Sequence, residues 1–144
     1  MTYTSKNPEE TKELASRFIQ GLTARDRAVV IALIGDLGAG KTAFSQAIGE
    51  ALGVRDPIQS PTFLIEKIYE LHKAPWQHLV HIDAYRLESE SELTALGWDA
   101  IIARPENLII VEWADKIGGI LPEGTIRVTM KHIDETTREI DIQS

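Results

Sequence analysis

The chain has 144 residues and a formal charge of −7, from 22 acidic and 15 basic side chains. That length suits one compact domain over 1–144 with a core of its own, and the absence of Cys excludes disulfide and thiolate chemistry. The acidic balance argues against broad, direct binding to nucleic acid, and the longest apolar run, Ala28 to Ile34, is far too short to cross a membrane.

The first predicted element is a helix from about Pro8 to Gly21. Asn7 is its N-cap, Pro8 suits the first helical position, and Glu9 and Glu10 suit the first turn. Leu14, Ala15, Phe18, Ile19 and Leu22 recur at helical spacing and face a core. Met1 to Glu13 carries Lys6, Glu9, Glu10 and Glu13 and lacks a signal-peptide core, so a soluble cytoplasmic protein is expected. Ala28 to Ile34 reads as a buried strand, and Lys41 to Leu52 as the helix after it. Ser60-Pro61-Thr62-Phe63 is a short rigid segment before a strand at about Leu64 to Leu71. A turn around Pro75 leads to a strand over Leu79 to Asp83, so these two strands can form an antiparallel hairpin. Glu90 to Leu96 reads as a short helix stopped by Gly97, and Leu108 to Glu112 as a strongly apolar strand. Thr125 to His132 and Thr137 to Ile142 alternate and suggest a terminal hairpin. The order of elements predicts an α/β, P-loop NTPase-like three-layer fold, with a central mixed β-sheet flanked by helices.

Between the Ala28–Ile34 strand and the Lys41–Leu52 helix lies Gly35-Asp36-Leu37-Gly38-Ala39-Gly40-Lys41-Thr42, which fills the P-loop pattern G-x-x-x-x-G-K-[ST] in the context it requires. A triphosphate is a dense negative charge. Glycines let successive backbone N–H groups turn inward as an anion nest, and the helix start adds its positive dipole end. Lys41 is expected to reach the β- and γ-phosphates of ATP, and the Thr42 hydroxyl to sit on Mg²⁺.

A P-loop also needs an acidic residue at the end of a neighbouring strand. Glu112 emerges at the C-terminal end of an apolar strand, where open α/β sheets place ligands. It can bind Mg²⁺ directly or orient an attacking water. Trp113, next in the chain, is open to two readings: core packing, or a wall that shields the γ-phosphate from bulk water. Asp83 also ends an apolar strand within His81-x-Asp83-x-Tyr85-Arg86. It can align a water or support the metal's hydration shell, or it can simply be a polar residue at a strand-end turn. Thr62 can sense γ-phosphate or Mg²⁺ from a mobile loop.

Taken together, these pieces resemble the TsaE (YjeE) family, the small P-loop ATPases of bacterial tRNA threonylcarbamoyladenosine synthesis. The P-loop, Ser60-Pro61-Thr62-Phe63, His81-Ile82-Asp83-Ala84-Tyr85-Arg86 and Ile110-Val111-Glu112-Trp113 match in order and spacing over nearly the whole chain. The resemblance implies that Thr42 and Glu112 are the Mg²⁺ ligands and that Gly38, Ala39, Gly40, Lys41 and Thr42 cradle the phosphates of ATP or ADP. It implies that Thr62 belongs to a switch-like loop, that Asp83 supports catalysis or the metal shell, and that Trp113 is needed beside Glu112. It points to Thr11 near the adenine and to Lys131 as a basic residue approaching the nucleotide. Relatives often carry Arg shortly after the V-E-W motif, where this chain has Asp115-Lys116, so a bidentate arginine contact is lost there. The implied partners are the TsaD and TsaB proteins, with tRNA reached indirectly through their complex. Two other readings of the P-loop are a small-molecule kinase, which needs a lid that the short chain does not offer, and a nucleotide-dependent interaction module in which binding rather than hydrolysis matters.

Overall fold

A computed structural model describes residues 1–36, 39–55, 66–72 and 74–144. Its centre is a seven-stranded sheet in the order β1-β7-β6-β2-β5-β4-β3. The strands are β1 (Thr2–Ser5), β2 (Val29–Gly35), β3 (Glu66–Glu70), β4 (His78–Asp83), β5 (Asn107–Glu112), β6 (Ile126–His132) and β7 (Arg138–Gln143). β2 lies between β5 and β6 and is parallel to both, and β4 extends the parallel set beyond β5. The β3–β4 and β6–β7 pairs are antiparallel, as the two expected hairpins require. The sheet is therefore mixed, with a parallel centre and antiparallel margins. Parallel strands buried on both faces need near-continuous apolar sequence, and β5, buried at every position, supplies Leu108 to Val111.

Helices cover both faces. α1 (Pro8–Gln20) starts where Asn7 Oδ1 accepts the Glu10 N–H at 2.9 Å, and it buries Leu14, Ala15 and Ile19. α2 (Lys41–Ala51) buries Phe44, Ala47 and Ile48 on the same side, against Val29, Ile31, Leu33, Leu79, Leu108 and Ile110. On the opposite face Val30, Ala32, Val80, Ile82, Ile109 and Val111 pack with Leu93 of α3 (Glu90–Ala95) and Trp98 of α4 (Trp98–Ile102). Alternation along β4 and β5 thus puts His81, Asp83 and Glu112 on the α2 side of the sheet.

Two elements differ from the sequence reading. The first four-residue strand, β1, carries no periodic signal. It exists because it pairs antiparallel with β7, Thr2 opposite Asp141 and Ser5 opposite Arg138. Gly97, read as a stop, is also a start: its φ of 93° turns the chain out of α3 and directly into α4. Trp98 anchors that turn by donating its indole N–H to the Ile120 carbonyl at 3.0 Å. The Ser60–Phe63 segment, with Thr62, and Leu37 and Gly38 of the loop lie outside the described residues.

Candidate active site

The site forms where β2, β4 and β5 end at the start of α2. Gly35, the last residue of β2, has no room for a side chain: a Cβ there would lie 2.5 Å from the Met130 carbonyl oxygen on β6. Gly40 holds φ 101° as it enters α2, a left-handed conformation that strains any residue bearing a Cβ. Between them, Ala39 is fully buried and its N–H donates to the Asp36 carbonyl at 3.0 Å. The described part of the loop is therefore shaped by backbone approach, with side chains kept away from the helix start.

Lys41 is only 5% exposed. Its ammonium donates to the Gly35 carbonyl, and to the Asp36 carbonyl at 2.9 Å. It also lies 3.9 Å from the centre of the Trp113 ring. Burial pushes the Lys41 pKa below its ordinary value, and the carboxylates of Glu112, Asp115, Asp36 and Asp83 oppose that shift. The ammonium is thus held at the loop mouth by two carbonyls and an aromatic face.

Glu112 ends β5 and is 2% exposed. A carboxylate at that depth needs partners for its oxygens. Thr42 Oγ1 lies 3.1 Å from Oε1, and His81 Nε2 lies 2.5 Å from Oε2. The two residues expected to bind a metal are therefore already in contact, although 70 positions apart in sequence. Both offer hard oxygen donors, the ligand type that Mg²⁺ takes, and a Mg²⁺ ion commonly uses one or two protein ligands and fills its remaining positions with water and phosphate. Among the described residues no cluster of three or more His, Cys, Asp or Glu side chains is placed to hold a metal.

Asp83 stands directly across from Glu112 in the parallel β4–β5 register. One of its oxygens accepts the Tyr85 N–H at 3.0 Å and so caps the 3-10 turn at Ala84–Arg86. Its role in the turn and its place beside the site are both real. Trp113 adopts φ 57° and ψ 40°, the one positive φ among the described non-glycine residues. That bend carries its ring off the strand, where it packs partly on the apolar core and lies 5.1 Å from the Tyr85 ring. Core packing and a wall beside Lys41 are thus the same placement.

The family profile for threonylcarbamoyl adenosine biosynthesis protein TsaE matches residues 5–140. This chain belongs to the TsaE family. The tRNA threonylcarbamoyladenosine biosynthesis protein TsaE of Bacillus subtilis (strain 168) is 40% identical, over 93% of this chain and 79% of its own length. The TsaE of Rickettsia typhi is 37% identical, over 98% of this chain and 93% of its own. The crystal structure of YdiB from Bacillus subtilis superposes with a TM-score of 0.74 at 32% identity, covering 97% of this chain and 82% of that one.

In this TsaE-family chain a cavity of about 200 Å³ opens beside the loop. Asn7, Pro8 and Thr11 of the N-terminal region line it with Gly40 and Ala43. Lys131 is exposed on β6 opposite Glu139, and the basic residue lining the cavity is Arg138. Strand alternation is the reason: Met130 points to the α2 side and lines the cavity, so its neighbour Lys131 takes the other face. Arg138 donates to the Asp134 carbonyl at 2.7 Å and the Thr137 carbonyl at 3.0 Å.

Two further residues carry roles that motif reading left blank. His81 was part of a motif with no assigned task, yet it is fully buried against Glu112. Its position two residues before Asp83 on one strand was a usable signal, because alternation places both on one face. Lys116 donates to the Tyr85 carbonyl and lies 5.0 Å from the Tyr85 ring centre. It ties the segment after Trp113 to the turn after Asp83.

Proposed function

We propose that this protein is a Mg²⁺-dependent ATPase that hydrolyses ATP to ADP and phosphate. In this reading it supports threonylcarbamoyladenosine modification of tRNA in the cytoplasm, acting on a complex of TsaD and TsaB. The observation that carries the reading is the 3.1 Å contact between Thr42 Oγ1 and Glu112 Oε1 at the mouth of the P-loop. It supplies both halves of a phosphate-and-metal site in one place.

Thr42 and Glu112 would hold Mg²⁺, and the chemistry supplied by the bound ion is neutralisation of charge on the transferring phosphoryl group. Lys41 exchanges its two carbonyl partners for phosphate oxygens, a short swing because its ammonium already lies at the loop. The N-terminus of α2 directs its backbone N–H groups at the same anions. Asp83, one strand over from Glu112, would align a water or support the metal's hydration shell. Trp113 limits access of bulk water from its side. The cavity lined by Thr11, Gly40 and Arg138 takes the base end of the nucleotide. Arg86 is exposed at the end of the turn that Asp83 caps, so a partner surface can complete the catalytic set there.

The net charge of −7 suits a protein that drives a tRNA-modifying complex without holding much of the tRNA itself. The test is a pull-down with TsaD and TsaB in the presence of ATP, with phosphate release measured with and without them. Association together with stimulated release is expected. Lack of association under every nucleotide condition would remove the partner assignment, and lack of Mg²⁺-dependent phosphate release would remove the ATPase assignment.

A further inference from the structure

We propose that His81 is a positioning residue for Glu112: its Nε2–H holds carboxylate oxygen Oε2, so that Oε1 is presented beside the Thr42 hydroxyl. The inference rests on the reading of Thr42 and Glu112 as the Mg²⁺ site.

The geometry begins with register. His81 pairs with Ile110 on the neighbouring parallel strand, so Glu112 is its diagonal neighbour on the same face. Diagonal neighbours are beyond the reach of short side chains but within reach of long ones. Here the imidazole meets the carboxylate at 2.5 Å with both groups buried. An ionised carboxylate only accepts, so the ring nitrogen in contact must bear the hydrogen. Glu112 has three side-chain torsions, and without a second anchor the carboxylate could rotate Oε1 away from Thr42. A ligand carboxylate held by a second hydrogen bond is the usual means of fixing such a ligand.

The other ring nitrogen argues against simple core filling. Nδ1 of His81 is buried and has no hydrogen-bond partner among the described residues. A buried polar atom left unpaired destabilises the fold, and an aliphatic residue would avoid that cost. The imidazole is explained by what Nε2 does for Glu112.

The test compares His81→Gln with His81→Asn in the full-length chain. The Gln amide nitrogen reaches roughly as far as Nε2, whereas the Asn amide stops near Nδ1. Binding of a fluorescent ATP analogue is titrated in EDTA and then against MgCl₂. Both variants are expected to keep wild-type affinity in EDTA. His81→Asn is expected to need roughly 10- to 100-fold more Mg²⁺ for half of the Mg²⁺-dependent gain, and His81→Gln to restore most of it. Equal Mg²⁺ response in Asn and wild type would overturn the role of His81 while leaving the metal site standing. Equal loss of affinity in EDTA and in Mg²⁺ would overturn it too, by showing a structural effect. A wild type with no Mg²⁺-dependent gain would overturn the metal reading and this inference together. A ¹⁵N spectrum of the wild-type imidazole checks the same point without any variant: an Nε2–H tautomer is expected, and an Nδ1–H tautomer would refute the bond.

Discussion

Thr42 and Glu112 touch across 3.1 Å although one opens a helix and the other closes a strand 70 residues later. β2 and β5 are adjacent and parallel, with Leu33 opposite Glu112, so the end of β5 lies beside the loop that follows β2. The contact joins the start of α2 to the carboxylate that ends β5.

Replacing Glu112 by Ala or Gln is expected to lower Mg²⁺-dependent phosphate release by at least about 100-fold, since a ligand should matter more than the residues that orient it. Circular dichroism should show the fold retained, because β5 keeps its apolar residues. Normal turnover of Glu112→Ala in the presence of partners would sink the ligand assignment.

Lys41 links stability to pH. Burial lowers its folded pKa below the ordinary lysine value of 10.5. Between the lowered value and 10.5 the unfolded chain binds more protons than the folded one, so this contribution to stability rises with pH across that window. Below the window the ammonium is charged in both states and its desolvation cost is fully present. The stability of wild type relative to Lys41→Met should therefore increase from pH 7 to about pH 10, as read from urea midpoints. A difference that stays flat or falls would refute it. Lys41→Ala is expected to abolish hydrolysis.

Trp113 should report nucleotide binding. Of the three tryptophans, Trp76 and Trp98 are buried in the cores, and Trp113 is the one beside the Lys41 ammonium. If Lys41 turns to phosphate it leaves the ring face, and the emission of Trp113 changes. ADP or ATP should alter tryptophan fluorescence in the wild type and leave Trp113→Phe nearly silent. An equal response in both proteins would place the reporter elsewhere.

Gly35→Ala should destabilise the protein by about 1–3 kcal/mol, the usual cost of forcing extra bulk into a packed site. The obstacle is the Met130 backbone oxygen, 2.5 Å from the added Cβ, and it cannot move without disturbing the β2–β6 pairing. Gly21→Ala is the control, since its Cβ would meet only carbonyls at 3.6 Å. Thermal melts distinguish the two, and equal melting temperatures would contradict the argument.

Local structure is written plainly in this chain. The apolar run ending at Glu112, the capping residues of α1 and the alternation of β6 and β7 each depend on neighbours in sequence, and all of them read correctly without coordinates. The same local signals were silent on β1, which exists only because β7 lies beside it, and on α4, too short for a period to show. They do not say which basic residue lines the cavity beside the loop: strand alternation turns Lys131 to the other face, and Arg138 lines it. What the sequence determined by itself was the inventory of the candidate site, because the P-loop pattern is defined by residue type and local spacing. What the tertiary structure decided was the pairing within it: Thr42 with Glu112, Glu112 with His81, Lys41 with Trp113. Those pairs depend on which strands are adjacent and in what register, and that is settled by burying both faces of the sheet at once.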